Sequence, residues 1–305
     1  MAEFVVNEIA NWIVVASVYT LLAIGFSLLF GVLEVIHFSH GDVAFLSPYV
    51  ALALLGAFSG AAIGHDLMPA FRATLVAILA VGLIGCILYI AVIRPFQYRS
   101  QLIVLVATVS LGIVLRETVR HVVPQGSTAQ AFPSLLSAPA FYLFNTAVSQ
   151  LVIVALVTTV VLLGAIYAFL NKTVLGTCIR ALAQDPEMAS MLGISTTRIA
   201  LLTFFIASVV GAIGGIFFAI YTGAIRFDYG ILAGLLGFSS AVVGGLGSVY
   251  GAVIGAVILS GVETLAQAVL PNGDAYEQVI AFMVVIAFLI FRPTGILGEK
   301  VVEKV

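Results

Sequence analysis

The sequence predicts an all-α membrane protein: a polytopic helical bundle of eight or nine spans with short or re-entrant helices and a candidate inverted repeat. Hydrophobic residues make up 62% of the 305 positions, charged residues only 9%, and the mean hydropathy is +1.24. Because soluble domains carry about 25% charged residues, this composition excludes a soluble globular chain. Apolar runs and short loops fill nearly the whole length. We therefore expect one transmembrane domain over 1–305, with no room for a separate catalytic domain.

Nine apolar runs approach the roughly 20 residues that a helix needs to cross a bilayer. The first run follows two glutamates and no Lys or Arg, unlike the basic start of a secretory signal, so we expect it to be retained as a helix. One run is short and either crosses or re-enters the membrane. The expected bounds are 9–33, 44–63, 71–93, 101–119, 149–170, 198–222, the short 231–246, 249–270 and 277–291.

Basic residues favour the cytoplasmic side of membrane proteins and so predict the orientation. We take the longest hydrophilic stretch, the polar island at 171–198, as cytoplasmic. Alternating crossings then place most Lys and Arg residues inside, with the N-terminus outside and the C-terminus in the cytoplasm. The residues expected inside are Arg94, Arg99, Lys172, Arg180, Arg198, Arg292, Lys300 and Lys304, and those outside are Arg72, Arg116, Arg120 and Arg226. A net charge of −2 with no dense basic face argues against a nucleic-acid partner.

Two polar segments, 34–42 and 224–230, interrupt the apolar pattern. Within them, IHFSHG at 36–41 aligns with IRFDYG at 225–230, matching Ile, Phe and Gly, and each leads into an apolar helix. In the expected topology they lie at opposite faces, as in an inverted repeat whose half-helices line a transport path. The alternative left open is two interfacial loops with polar helix caps. Together with one intramembrane carboxylate, the candidate path residues are His37, Ser39, His40, Asp42, Asp228 and Glu263.

Glu263 is the one carboxylate well inside a predicted span. A charge at that depth costs at least ~2.5 kcal/mol in lipid, so we expect it to face the bundle interior or a polar cavity. It either contacts cargo or joins two helices by a hydrogen bond. By contrast, Arg116, Glu117 and Arg120 fall at the end of the fourth run, where Glu117 and Arg120 are i,i+3 neighbours. We interpret these three as an interfacial anchor.

Glycines recur at helical spacing in the second half of the chain. Gly211 and Gly215 form one i,i+4 pair, and Gly247, Gly251 and Gly255 form a triplet. Such spacing favours close helix packing over direct contact with cargo. The segment GGLGSVYG lacks the Lys-Ser/Thr of a phosphate-binding loop and follows no strand. We expect no ATP site in this chain, and neither cysteine to belong to a disulfide or a metal site.

The polar island predicts two short helices. The first covers 177–184, and the second has Asp185 as its N-cap, Pro186 at its first position and Gly193 as its C-terminal stop. The second helix carries apolar residues that nothing nearby in sequence covers, which favours docking on a partner over lying flat in the membrane interface. These apolar residues are Met188, Ala189, Met191 and Leu192.

The island and four other motifs resemble the permease subunits of ATP-binding-cassette importers of the branched-chain amino-acid (LivH-like) type. RALAQDPEMASMLGIS at 180–195 looks like their cytoplasmic coupling loop. The other motifs are HFSHGD at 37–42, Arg94-Pro95 followed by ATVSLG at 107–112, GGLGSVYGAVIGA at 244–256 and RPTGILG at 292–298. The resemblance covers almost the whole chain.

The resemblance implies a complex in a bacterial or archaeal cytoplasmic membrane. A second permease subunit, usually non-identical, would complete the translocation path. Two cytoplasmic ATPase subunits would hold ATP and magnesium, and a periplasmic or extracellular binding protein would deliver cargo. The expected docking residues for the ATPase subunits are Ala183, Asp185, Pro186, Glu187, Met188, Ala189, Met191, Leu192 and Gly193.

The expected cargo is a small polar metabolite, a branched-chain or related amino acid. A zwitterion requires a helix N-terminus for its carboxylate, which 41–45 or 228–232 would supply, and Asp42, Asp228 or Glu263 for its ammonium. Urea or a short amide remains open as cargo. A second alternative is an ion-coupled transporter or channel working alone, which would not need an exposed docking helix. A membrane enzyme has least support, because no catalytic constellation occurs at useful spacing in the predicted spans.

Overall fold

A computed structural model describes residues 1–59, 67–97 and 99–298, and most of these residues are helical. The helices are α1 (Ala2–Leu33), α2 (His40–Ala44), α3 (Leu46–Ser59), α4 (Leu67–Leu88), α5 (Gln101–Val122), α6 (Gln150–Lys172), α7 (Val174–Gln184), α8 (Pro186–Met191), α9 (Thr196–Thr222), α10 (Tyr229–Gly244), α11 (Val249–Val269) and α12 (Gly273–Phe291). The strands are β1 (Gln130–Ala131), β2 (Pro139–Leu143), β3 (Thr146–Ser149) and β4 (Ala224–Ile225). A π-helical turn, Tyr89–Ile93, extends α4.

Six of the described helices are long and apolar enough to cross a membrane: α1, α4 with its π turn, α5, α6, α9 and α11. This confirms the multi-pass helical prediction. The remaining apolar helices, α2 with α3, α10 and α12, are shorter, so the count of eight or nine full spans is not confirmed. The end of the predicted second span, at 60–63, lies outside the described residues.

The centre of the bundle is formed by α1 and α9. Every residue of α1 from Ser17 to Leu29 is buried, and this helix packs against α6, α9, α10 and α11. α9 also packs against α2, α3 and α4. By contrast, the outer faces of α4, α5 and α6 expose apolar side chains such as Leu83, Val106 and Val160. This is the arrangement expected of a bundle surrounded by lipid.

The short helices α2 and α10 begin inside the bundle rather than at its ends. His40, the first residue of α2, is buried against Gly25 in the middle of α1 and Gly211 in the middle of α9. Ser47 fixes the start of α3 to α9 by donating from Oγ to the carbonyl of Ala212 at 2.8 Å. On α10, Gly237 packs on Leu22 of α1. Helices interrupted inside the bundle are a general feature of transport sites.

Two strand pairs at one end of the bundle did not figure in the prediction. β2 and β3 form an antiparallel hairpin whose turn, Phe144 and Asn145, has φ of 47° and 68°. β1 pairs antiparallel with β4, so the segment after α5 is joined to the segment after α9. The strand pairs give hydrogen-bond partners to backbone N–H and C=O groups that would otherwise be unpaired where the chain leaves the helices.

The segment after α12 returns to the end of α10 as a backbone clamp. The amide of Ile296 donates to the carbonyl of Val243 at 3.0 Å, and the amide of Leu297 donates to that of Gly244 at 2.8 Å. Gly295, with φ of 76°, lies directly on Gly245. These bonds satisfy carbonyls at the C-terminal end of α10, which have no partner within the helix.

Candidate functional site

The site is built where the first turns of α2 and α10 touch. A Cβ atom at Gly41 would lie 2.5 Å from Cα of Gly234, and one at Gly230 would lie 2.8 Å from Cα of Asp42. The two backbones are therefore in direct contact, which only glycine permits. Only the glycine ends of the aligned segments 36–41 and 225–230 thus meet. Their first residues lie apart, because Ile36 lines the cavity beside the end of α1, whereas Ile225 belongs to β4, which pairs with β1. The expectation that the two segments start at opposite faces stays a prediction.

At this contact Asp42 forms a buried ion pair with Arg116 of α5. Nη1 of Arg116 donates to both carboxylate oxygens of Asp42, at 3.1 Å to Oδ1 and 3.0 Å to Oδ2. The exposed fractions of the side chains are only 5% for Asp42 and 16% for Arg116. The interpretation of Arg116 as an interfacial anchor is therefore wrong. Its neighbours Glu117 and Arg120 do form the expected i,i+3 pair, at 3.5 Å and half exposed.

The local sequence of α5 explains why the pair can form. Gly112 lies one helical turn before Arg116 on the same face, and a side chain there would overlap Oδ2 of Asp42. Thr108, a further turn back, is fully buried and donates to the carbonyl of Ile36 at 3.4 Å. One face of α5 thus holds the segment before α2 and leaves room for the carboxylate of Asp42.

Three cavities lie along α5. The ion pair lies between two of them and lines both. On one side is a cavity of about 210 Å³ that contains the pair and Ser39 and has apolar walls from α5 and α10. On the other side the free volume is about 10 Å³, lined by Tyr49, Val119 and Phe227 among others. The third cavity, of about 390 Å³, lies beside the N-terminal end of α5 and the end of α1. The pair therefore lies where a cavity of about 210 Å³ meets one of only about 10 Å³.

The two histidines lie behind this site rather than in it. His40 packs edge-on against Phe26, with ring centroids 4.9 Å apart, and its Nε2 has no hydrogen-bond partner among the described residues. His37 packs edge-on against Phe204 at 5.4 Å and lies 3.5 Å from Oγ of Ser39. Both rings are buried in the contact between α1, α2 and α9, and neither lines the three cavities.

Asp228, the N-cap of α10, and Glu263 each form a hydrogen bond with a residue outside the ion pair. Asp228 accepts a hydrogen bond from Nη2 of Arg226 at 2.6 Å, in a pair that is partly exposed. Glu263 is 5% exposed and accepts a hydrogen bond from Oη of Tyr19 at 2.6 Å, which joins α11 to α1. Nearby, Nε1 of Trp12 donates to Oγ of Ser260 at 3.2 Å across the same helix contact. Of the two roles left open by the sequence, this geometry favours a hydrogen bond between helices for Glu263.

We expect Tyr19→Phe to lower the free energy of unfolding by about 1–3 kcal/mol, because the buried carboxyl of Glu263 loses its hydrogen-bond donor. The measurement is thermal unfolding of the purified protein in detergent. Tyr276→Phe is the matched control, since Tyr276 is exposed. Transport per folded molecule should stay unchanged. A loss of transport at unchanged stability would instead assign Glu263 to the cargo path.

The singled-out glycines lie at close backbone contacts. Gly211 and Gly215 face α2 and the start of α3, while Gly251 and Gly255 face the end of α10. Gly247 differs from the prediction, because it lies in the turn before α11 with φ of 85° and faces Gly31. The helix begins only after Ser248, whose Oγ accepts from the amide of Gly251 at 3.1 Å.

The second island helix, α8, forms as predicted. Oδ1 of Asp185 accepts from the amides of Glu187 and Met188 at 3.1 and 2.9 Å, and Gly193 has φ of 84°. The first island helix, α7, begins at Val174, three residues before the predicted start, because the Oγ1 of Thr173 caps it.

The apolar residues of α8 point in two directions. Met188, Met191 and Leu192 are 54%, 72% and 75% exposed. Ala189 is buried instead, in a cluster with residues of α1, α7 and α9, so it does not belong to the uncovered face. Ala183 of α7 is half-buried. The structure thus presents three large apolar side chains, two on α8 and one on its C-cap Leu192, and α8 itself is anchored to the bundle through Ala189.

Comparison with known proteins identifies the family. The model for the permease component of the branched-chain amino acid transport system matches residues 8–289. The chain belongs to this permease family. BraD of Pseudomonas aeruginosa, a high-affinity branched-chain amino acid transport system permease protein, is 33% identical over 309 residues, covering 98% of this chain and 97% of BraD. No solved structure matches the chain.

Other relatives of this permease carry corresponding names. LivH of Salmonella typhimurium and LivH of Escherichia coli K12, both high-affinity branched-chain amino acid transport permeases, are each 31% identical over 306 residues, covering 99% of this chain and 98% of the relative. A probable LivH permease of Methanocaldococcus jannaschii is 27% identical over 307 residues, covering 94% of this chain and 90% of the relative. The family resemblance expected from the motifs is confirmed.

Proposed function

We propose that this chain is the transmembrane permease subunit of an ATP-binding-cassette importer for branched-chain amino acids, driven by separate ATPase subunits. The observation that carries the proposal is the full-length similarity to curated branched-chain amino acid permeases from bacteria and an archaeon. The similarity of this chain to permeases over its whole length argues against the alternative that it is a membrane enzyme.

The cavities along α5 support a transport path. Their lining residues run from Gln101 to Val119, which is about 27 Å of helix at 1.5 Å per residue. This length is close to the roughly 30 Å hydrocarbon thickness of a bilayer. We assign the wide end of the path to the side of α7 and α8, and the narrow end to the side of the strand pairs.

The exposed face of α8 supports docking of an ATPase subunit. Ile179 and Leu182 of α7 and Ala189 of α8 pack on Val32 at the end of α1 and Ile199 at the start of α9. Movement of α8 would therefore act on the two central helices. Because α9 packs directly on α2, the displacement would reach Asp42 through contacts between rigid elements.

The proposed assembly contains two permease subunits, two ATPase subunits that hold ATP and magnesium, and a secreted substrate-binding protein. We place it in the cytoplasmic membrane of a bacterium or archaeon, in contact with lipid. The polar island, 171–198, is the cytoplasmic coupling loop, the N-terminus lies outside and the C-terminus in the cytoplasm. The second permease subunit, non-identical in this proposal, covers the exposed side of the cavity between α5 and α10.

The test is uptake of radiolabelled leucine by the complete complex in proteoliposomes, with ATP in the lumen and the binding protein outside. We expect uptake that requires ATP and persists when ionophores remove ion gradients. Uptake that needs a gradient and not ATP would identify an ion-coupled transporter. Uptake of labelled urea in place of leucine would identify an amide importer.

A further inference from the structure

The buried ion pair uses only part of the hydrogen-bonding capacity of Arg116. Arg116 holds Asp42 through Nη1 alone, and neither its Nε nor its Nη2 donates to any described residue. A guanidinium can bind a carboxylate through two parallel hydrogen bonds. The unused edge of Arg116 therefore provides donors for a second carboxylate. Both charged groups line the same cavity of about 210 Å³.

We propose that Asp42 and Arg116 form the subsite for the zwitterionic head group of the transported amino acid. Arg116 binds the α-carboxylate and Asp42 binds the α-ammonium. This inference rests on the proposed function and specifies the class of cargo that the path itself recognises.

The energetics of a buried pair favour a zwitterion over a neutral amide. Separating the two charges would leave each one buried without a partner, which is costly in a low-dielectric interior. A zwitterion supplies a positive charge to Asp42 and a negative charge to Arg116 as they separate, so both stay neutralised. Urea carries no formal charge and cannot replace either partner. The pair thus selects for a molecule with both charges.

The remaining walls of the cavity suit an aliphatic side chain. They consist of Phe38 and Val109 on one side and Ile231 and Leu235 of α10 on the other, with Ser39 as a further polar group. Pockets for drug-sized ligands have about 300–1,000 Å³, so a cavity of about 210 Å³ is of a size that suits a small metabolite. The charged head group of the amino acid would contact the ion pair, and its apolar side chain would contact the apolar walls.

The pair also lies where the free volume narrows. Beyond it lies the region of about 10 Å³, which is room for about one water. When Asp42 and Arg116 bind each other, α2 and α5 are held together at this point. When they bind an amino acid instead, the direct link between the helices is replaced by the cargo. Cargo binding and opening are thereby coupled at one contact.

The test measures binding of radiolabelled leucine to the complete complex in nanodiscs, without binding protein or ATP. Competitors are isoamylamine, which is leucine without its carboxylate, and isocaproate, which lacks the ammonium. We expect Arg116→Gln and Asp42→Asn each to weaken leucine binding at least about tenfold. Arg116→Gln should in addition make isoamylamine the better competitor, and Asp42→Asn should favour isocaproate.

The reciprocal preference separates cargo binding from a structural role, because a merely destabilised protein would not select opposite charges. Leucine binding within about twofold of the parent in either variant, or loss without the reciprocal preference, would overturn the inference. Arg120→Gln is the matched control on α5, since Arg120 forms an exposed pair with Glu117. It should leave leucine binding unchanged.

A double variant keeps the test decisive if the single variants fold poorly. Asp42→Asn with Arg116→Gln removes both charges, so no charge is left buried alone, and we expect a folded protein without preference for leucine. If the parent complex shows no ATP-driven leucine uptake, the proposed function fails. If the parent transports leucine and the double variant transports it equally fast, only the zwitterion subsite fails.

Discussion

Replacing Gly41 with alanine will reduce transport at least about tenfold and destabilise the protein by about 1–3 kcal/mol or more. The added methyl group would meet Cα of Gly234 at 2.5 Å and its amide nitrogen at 2.8 Å, as well as the carbonyl of Gly230. These atoms belong to the backbone of α10, so no side-chain rotation can relieve the overlap. The helices would have to separate, which displaces Asp42 from Arg116. Thermal unfolding in detergent and leucine uptake measure the two effects.

Gly164→Ala provides the matched control for this substitution. Gly164 lies within α6, and an added Cβ there would meet nothing within 4 Å. We expect alanine to leave transport unchanged and to stabilise the helix by up to about 1 kcal/mol. Equal thermal stability and equal leucine uptake of the Gly41→Ala and Gly164→Ala variants would contradict the close contact between α2 and α10.

Replacing Met188 and Leu192 with aspartate will release the ATPase subunits and abolish ATP-driven transport. Both side chains are exposed on α8, and a carboxylate placed in an apolar groove of a partner would lose its water without gaining a counter-charge. Insertion of the permease should remain normal, because neither residue contributes to the buried clusters. Co-purification of the ATPase subunits in detergent measures the effect.

Phe144→Asp serves as the control, since Phe144 is an equally exposed apolar residue in the turn between β2 and β3. It lies away from the polar island, so the ATPase subunits should stay bound. Retention of the full complex by the Met188 and Leu192 variant would exclude α8 as the docking helix.

The helices and the local caps could be predicted from sequence because their causes are local. Apolar runs of about 20 residues identify spanning helices. Asp185 and Pro186 mark the start of α8 through their own backbone and side-chain chemistry. The hairpin at β2 and β3 also carried a local signal, because Asn145 follows an aromatic run and favours the left-handed turn. It was missed because the apolar runs dominate this chain.

The candidate site could be predicted only in part, because its partners are distant along the chain. Asp42 was recognised as a path residue, but Arg116 was interpreted from its neighbours within α5 alone. Its true partner lies 74 positions earlier. One signal was present: Gly112 precedes Arg116 by one turn, which leaves space beside the charge for another element. Sequence alone could not say which element fills that space.

The backbone clamp between the end of α10 and the segment after α12 has a consequence for biosynthesis. The carbonyls of Val243 and Gly244 receive their partners from Ile296 and Leu297, which leave the ribosome only after α11 and α12 have been made. Until then these two carbonyls lack their partners, although α10 packs on α1, α2 and α11. The clamp therefore forms last, at the end of α10 that lies farthest from Ile231 and Leu235, which line the cavity.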